Sequence, residues 1–474
     1  MPFEAVIGLE IHVEMKTKSK MFSAAPVSFG DLPNTMVVPT DMAFPGTMPV
    51  INKQAVINAI RVSNALNMSI DHELWFDRKN YFYSDLPKGY QITQQARPIG
   101  SNGYLDIKTS KGEKRIRVER LHMEEDTCKQ LHSWDCSLLD YNRAGIPLIE
   151  IVSMPDMRSG EEAMKYVEKI RSIVTFLDVS DGKMEEGSLR CDVNISIKEV
   201  GSEKLGTKVE IKNLNSIANV QKAIDFEMKR QEQVILAGGT IEQETRRFDE
   251  ASKETVLMRV KTDAADYKYF TEPNIPPIRL SNEFVDEAIK TSPELADSKS
   301  KRYEALGLSE YDISQLLLDR DISYYFDEAL KSGASPKLLT NWIIVDIQAI
   351  LNKEMISIKE FKITPDKLGE LVKLIEEGKV SNKQAREIFA EMLKNNESPS
   401  ELMKKMGTEM VSDESEIMAI VKETIDENPQ AVIDYKNGKD RAVGFLVGQI
   451  MKKSRGKANP ALANKLVVEE LKRR

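Results

Sequence analysis

From Val6 to Met15 the chain alternates without a break: Ile7, Leu9, Ile11, Val13 and Met15 fall on one parity, and Gly8, Glu10, His12 and Glu14 on the other. Successive side chains of a strand point to opposite faces, so this pattern fits a strand with one buried and one polar face; a helix would scatter the same residues around its circumference. Ser188 to Ile197 repeats it, with Leu189, Cys191, Val193, Ile195 and Ile197 opposed to Ser188, Arg190, Asp192, Asn194 and Ser196. Between them, Ile146 to Val152 is almost wholly apolar and reads as an interior strand carrying one acid, Glu150.

Helical patterns are interspersed at Gly160 to Leu177 and Ala218 to Ala237, so the first part of the chain is expected to be α+β. Glu272 to Pro277 holds three prolines and cannot be regular structure, which places a domain boundary near or soon after it. Beyond about residue 290 the period changes to that of helices. Leu368, Leu371, Val372 and Ile375 follow Thr364-Pro365, and Ser381 with Gln384 forms a capping box ahead of Ala385, Ile388, Phe389 and Met392.

At 474 residues the chain is long enough for about three domains. Its three cysteines cannot frame a disulfide scaffold and have no zinc-knuckle spacing. The N-terminus carries Glu4, Glu10 and Glu14 where a signal peptide would be apolar, and no long uncharged apolar run occurs, so a soluble cytoplasmic protein without membrane contact is expected. The net charge of −8 is uneven: residues 436 to 474 hold eleven Lys or Arg against three acids, a local +8. A polyanion would therefore meet local sites on this chain rather than its whole surface.

Four histidines, no G-x-S-x-G elbow and no H-E-x-x-H exclude several hydrolase classes. Gly201 to Lys208 has a P-loop flavour, but Lys and Thr are in the wrong order and a strand follows, so a hairpin connection with Gly206 is expected. The acids are the better lead. Glu10 and His12 project together from the first strand. Glu150 is costly within an apolar strand unless cations or donors compensate it. Met123 to Asp126 adds carboxylates, Asp192 lies beside Arg190, and Glu210 lies between Lys208 and Lys212. Taken singly, Glu124 or Glu14 reads as a solvated side chain. Together such oxygen-rich donors favour Mg²⁺ over zinc, and Mg²⁺ commonly accompanies a nucleotide. The segment Phe76 to Gln91 interleaves cations with aromatics, so Lys88 or Arg78 could hold phosphate and a ring such as Tyr83 could stack a base, or the aromatics could simply anchor the loop.

At these residues the chain resembles the B-subunit family of aspartyl/glutamyl-tRNA amidotransferases (GatB). The matching segments are Val6 to Glu14, FDRKNYFYSDLPKGYQITQ, RLHMEEDT, DYNRAGIPLIEIVS, KMEEGSLRCDVNIS, KVEIKNLNS, QETRRFDE, DYKYFTEPNIPP and GFLVGQIMKKSRGKANP, which together run nearly the length of the chain. The resemblance implies an α+β cradle-like catalytic domain with a large mixed sheet over 1–292, an all-α helical domain over 293–405, and a small α-helical YqeY-like tail over 406–474. It implies ATP-dependent phosphorylation of the side-chain carboxylate of Glu-tRNA(Gln) or Asp-tRNA(Asn), followed by amidation with ammonia. By motif, Glu10, His12, Glu125 and Glu150 are the implied Mg²⁺ ligands, with Asp192 and Glu210 as further catalytic carboxylates. Lys88, Ser188 and Arg190, with Tyr83 and Arg78, are expected at ATP or the aminoacyl end, and Lys452, Lys453, Arg455 and Lys457 at tRNA.

Many members carry two-cysteine clusters where this chain has Ser23, Ala25, Val38 and Asp41, so zinc is not expected and the loop should be held by packing alone. Glutamine hydrolysis has no motif here. The resemblance therefore implies that ammonia comes from a partner amidase (glutaminase), the A subunit of such complexes, with the small C subunit completing the assembly. A noncatalytic tRNA-binding scaffold is the alternative.

Overall fold

The computed structural model describes residues 3–260, 266–407, 414–436, 439, 441–454 and 458–474. The chain divides into two units, Met1–Ala296 and Asp297–Arg474. The division falls just beyond the expected 292, and the proline-rich segment lies inside the first unit, where the buried Glu272 accepts both nitrogens of the Arg78 fork.

The first unit is built on a nine-stranded sheet with the order Glu254–Val260, Glu244–Asp249, Val209–Lys212, Leu189–Glu199, Phe3–Glu14, Pro147–Ser153, Gly112–Glu125, Gly100–Thr109 and Ser69–Ile70. Val209–Lys212 and Glu244–Asp249 run parallel and every other neighbouring pair is antiparallel, so the sheet is mixed. Phe3–Glu14, the strand of strict alternation, lies at its centre. Its apolar parity is dry: Ile7, Ile11 and Val13 are 0% exposed and Leu9 1%. Each such side chain contributes about 1.5 to 3 kcal/mol by leaving water.

The cover comes from helices Lys53–Ala65, Gly160–Phe176 and Ile217–Leu236, whose Ala59, Ile60, Tyr166, Val167, Ile170, Val220 and Ile224 share one core with the strand. Asn52, Ser159 and Ser216 cap them, each accepting from a backbone N–H of the first turn. The cover is on one side only, which leaves the even-numbered side chains of the central strand on an open polar face. The hairpin expected around Gly206 joins Leu189–Glu199 to Val209–Lys212.

The second unit is helical and has two separate hydrophobic clusters, one from Tyr303 to Met403 and one from Ile417 to Leu471. Pro365–Glu376 starts at Thr364, and the Ser381–Gln384 capping box opens Asn382–Asn395, as the sequence predicts. In Arg441–Lys453 the buried stripe is Ala442, Leu446 and Ile450; Phe445 is half exposed because it lies about a quarter turn away. Among the described residues no helix is long and apolar enough to cross a membrane.

The loop at Ser23 and Asp41 corrects one expectation, since packing alone does not hold it. Asp41 accepts from Ser23 Oγ at 2.6 Å and from Val38 N at 3.1 Å, and its carboxylate lies 3.2 Å from Lys20 Nζ. Both charges are out of water, with Lys20 0% and Asp41 4% exposed. Burial pulls the Lys20 ammonium below its ordinary pKa, against the opposing pull of Asp41. An Asp41→Ala variant leaves that ammonium without a counter-charge in the loop, with the Tyr141 carbonyl at 3.1 Å as its remaining acceptor, and should lose about 3 kcal/mol of stability in chemical denaturation. Replacing both partners with apolar residues should cost clearly less. Equal losses in the two variants would show that the pair itself is not what the loop depends on.

Candidate active site

Sheet register decides which polar side chains meet on the open face. His12 lies opposite Glu150 on one side and Arg190 on the other, and Glu150 lies opposite His122. One pair along, Glu10 lies opposite Asp192, and the next row brings Gly8, Asn194 and Glu210 together. Directly opposed side chains on one face sit about 5 Å apart, so residues far apart in sequence converge.

Two groups result. His12 Nε2 is 3.5 Å from Glu150 Oε2 and 3.6 Å from Glu124 Oε1. His122 Nε2 is 3.1 Å from Glu150 Oε2. Ligand atoms of His12, Glu124 and Glu150 all lie within 4.8 Å of one another, and so do those of Glu10, Asp192 and Glu210. Ligands held about 2.1 Å from an octahedral Mg²⁺ are about 3 Å apart when adjacent and about 4.2 Å when opposed, so both groups have the span of a cation site. The second is all oxygen, which suits Mg²⁺ best.

The electrostatics agree with that fit. Burial raises the Glu10 carboxyl, and Glu150 and Asp192 raise it further against the bond donated by Asn194 Nδ2 at 2.8 Å. Burial alone would push the His12 imidazole down, yet Glu150 and Glu124 outweigh it and lift its pKa to about 9. His122 is raised in the same way. Glu150 is opposed by burial, but His12 and His122 hold it well below the usual carboxylate range. The acids that raise both imidazoles would equally attract a divalent cation, which His12 could bind only as the neutral imidazole.

Positive groups ring the acids. Lys212 is bonded to Asp192 and lies 3.2 Å from Glu210, while Thr245 Oγ1 donates to Glu210 at 3.0 Å. Burial would lower the Lys212 ammonium, but Asp192 and Glu210 raise it. Lys79 lies 4.8 Å from the Tyr267 ring centre; burial would lower it, and Glu124 heads the groups that raise it. Arg190 Nη2 donates to Asp126 at 2.7 Å. A cavity of about 1260 Å³ lined by His12, Arg143, Arg190, Asp192 and Lys212 opens beside both groups.

Not every expected residue joins them. Glu125 stands on the opposite parity from Glu124 and faces away, bonded to Lys88 Nζ and accepting from Ile92 N at 3.1 Å. A ligand set of Glu10, His12, Glu125 and Glu150 is therefore corrected by parity: Glu124 stands with His12 and Glu150, and Glu10 stands with Asp192 and Glu210. Lys88 lines a separate cavity of about 210 Å³ with Phe22 and Tyr90. Arg78 is committed to Glu272 at 2.6 and 3.1 Å and lies 4.0 Å from the Tyr90 ring centre, so its fork is not available to phosphate. Ser188 is bonded to Asp181 and closes a turn through Lys183. Tyr83 is exposed, 6.0 Å from Tyr81 between ring centres.

In the tail Lys452 is exposed and Lys453 pairs with Glu423 at 3.0 Å and Glu427 at 2.7 Å. Arg455 and Lys457 lie outside the described residues. His122, Lys212 and Lys79 are not among the expected site residues, and Glu124, expected to be solvated, is buried at 3% exposure. The signal for His122 and Glu124 was present, since apolar Leu121 and Met123 assign them to the other face.

Comparison with known proteins bears on the whole chain. A family model described as the GatB/GatE catalytic domain matches residues 5–286, and one described as the GatB domain matches residues 324–471. The aspartyl/glutamyl-tRNA(Asn/Gln) amidotransferase B subunit of Lysinibacillus sphaericus is 50% identical over 475 residues, covering 100% of both chains. Proteins of that name from Geobacillus thermodenitrificans and Bacillus cereus are likewise 50% identical with 100% coverage of both chains.

The geometry assigns opposite roles to Glu150 and Glu125. Titration with Mn²⁺, followed by electron paramagnetic resonance, should show Glu150→Gln weakening cation binding at least about tenfold, with Glu125→Gln close to the unmodified protein. A loss in Glu125→Gln as large as in Glu150→Gln would contradict the assignment by parity.

Proposed function

The chain belongs to the family of aspartyl/glutamyl-tRNA(Asn/Gln) amidotransferase B subunits, and from that membership we propose that it phosphorylates the side-chain carboxylate of Glu-tRNA(Gln), Asp-tRNA(Asn) or both with ATP. Ammonia then displaces the phosphate and leaves the amide, so the complex is an ATP-dependent carbon–nitrogen ligase with glutamine as amido donor. The observation that carries the reading is the pair of adjacent acidic groups, His12–Glu124–Glu150 and Glu10–Asp192–Glu210, on one open sheet face.

A carboxylate is a poor electrophile until one oxygen becomes a phosphate leaving group, and in-line phosphoryl transfer is accelerated by positioning and charge neutralisation. Mg²⁺ in these groups would supply that neutralisation. The chain's own part is to hold the carboxylates in place through Asn194, Thr245 and Lys212. Arg190 and Arg143 line the adjoining large cavity together with acids such as Glu14, Asp140 and Asp192, so it offers charges of both signs to an aminoacyl end.

The buried cysteines are unsuited to hydrolysing glutamine. Burial, with Asp85 adding to it, pushes the Cys128 thiol up to about 11, and burial raises Cys191 as well. A nucleophilic thiol needs the reverse. Ammonia would therefore come from a partner amidase, the A subunit, held together with the small C subunit in one cytoplasmic complex. The cationic tail would contact tRNA phosphates.

Purified with its partners, the protein should hydrolyse ATP in a Mg²⁺-dependent way only when mischarged tRNA is present, and Glu124→Gln should abolish that while tRNA binding persists. Tightly bound tRNA with no ATP turnover under any condition would instead favour the noncatalytic scaffold.

The tail has its own hydrophobic cluster, so removing residues 406–474 leaves the remaining cores intact. That deletion should weaken tRNA binding and flatten its salt dependence by about 0.9 in log–log slope for each phosphate that is no longer neutralised. An unchanged slope would mean that the tail does not bind RNA.

A further inference from the structure

Four adjacent strands of the first unit set one row of side chains across the open face, in the order Arg190, His12, Glu150 and His122. Neighbouring strands lie about 4.8 Å apart, so the two imidazoles start from backbones about 10 Å apart with Glu150 between them. Both reach the same atom. His12 Nε2 is 3.5 Å and His122 Nε2 3.1 Å from Glu150 Oε2. Arg190 and His12 line the large cavity, and Glu150 and His122 follow on the side away from it.

His122 stands between Leu121 and Met123, both 0% exposed, so strand parity turns its ring onto the polar face, where it is itself buried. Its Nδ1 is out of water and has no hydrogen-bond partner. Buried polar atoms are ordinarily satisfied, and an orphaned ring nitrogen is a cost, so what the ring contributes depends on Nε2. The polar contacts run through that atom, to Glu150 at 3.1 Å and more loosely to Glu124 Oε2 at 3.8 Å. An ionised carboxylate only accepts, which makes His122 Nε2 the donor.

The group whose ligand atoms lie within 4.8 Å of one another is His12, Glu124 and Glu150, and His122 is not of it. A carboxylate can turn about its last bond, and a hydrogen bond from outside the ligand group fixes the way it faces. Resting on the cation reading of the acids given above, we infer that His122 is a positioning residue: its Nε2 holds the Glu150 carboxylate from the side away from the large cavity, so that Glu150 meets a cation together with His12 and Glu124, while His122 itself does not bind the cation.

The assembled complex, free of tRNA, is titrated with Mn²⁺ and followed by electron spin echo. Nitrogen modulation from a ligating imidazole marks the His12 site apart from the all-oxygen group of Glu10, Asp192 and Glu210. The variants are His122→Gln, whose amide reaches as far as Nε2 and can donate, and His122→Asn, whose amide stops near the Nδ1 position. His122→Ala replaces His122→Asn if the latter does not assemble. At the nitrogen-marked site the Kd for Mn²⁺ should rise at least about tenfold in His122→Asn and stay within about threefold in His122→Gln, with the modulation at saturation intact in both. Adding His122→Asn to Glu150→Gln should weaken binding no further than Glu150→Gln alone, because the first acts through the second. Loss of nitrogen modulation in both His122 variants would make His122 a ligand and overturn the proposal. So would equal losses in His122→Gln and His122→Asn, or additive losses with Glu150→Gln, either of which would assign the ring to packing, and so would an unchanged Kd in His122→Asn. A nitrogen-marked site missing from the unmodified complex would refute the cation reading itself, and it is seen before any variant is made.

Discussion

Glu10, Glu124, Glu150, Asp192 and Glu210 share one face of a sheet whose other face is dry core. Two like charges about 4 Å apart repel by about 4 kcal/mol at an effective dielectric of about 20, so five acids would not assemble without compensation. His12, His122 and Lys212 supply positive charge, and Asn194 and Thr245 donate hydrogen bonds. The acids cannot relieve their repulsion by turning away. A slip of one residue would drive Ile7, Leu9 and Ile11 into water and the carboxylates into the core.

Buried charge elsewhere in the first unit is handled differently. Glu227 is fully buried, but it is matched by Arg230 at 2.7 Å and Arg246 at 3.6 Å and accepts from Gln231 and Thr255. Asp41 has Lys20, and Glu272 has Arg78. Those carboxylates end in pairs that stitch loops and helices to the sheet. On the open face acids outnumber the cationic side chains that touch them. That imbalance distinguishes this face from an ion-pair network that stabilises a fold, although composition is similar in both.

The same face explains why two recesses flank the acids. The polar parity of the central strand reads Gly8, Glu10, His12 and Glu14, so its character changes along its length. Its early end opens to mostly hydrocarbon walls and its late end to a cavity lined by charged side chains of both signs.

Much of this was legible in the sequence because it is local. Period two placed the strands, capping residues started the helices, and Glu150 stood out as an acid inside an apolar run. The motifs RLHMEEDT and KMEEGSLRCDVNIS carried the family. Parity also held the information that Glu124, rather than Glu125, joins His12, but a hydrophobic pattern broken by polar His122 and ended by three successive acids hid it. What the sequence alone could not decide is which rows meet. The pairing of His12 with Glu150 and of Glu10 with Asp192 spans well over a hundred residues and is set by strand order and register. The fate of Arg78 and of Asp41 is of the same kind. A charged group free to bind a ligand and one spent on a buried partner look identical in a sequence, and only the tertiary structure, by bringing Glu272 to Arg78 and Lys20 to Asp41, settled their roles.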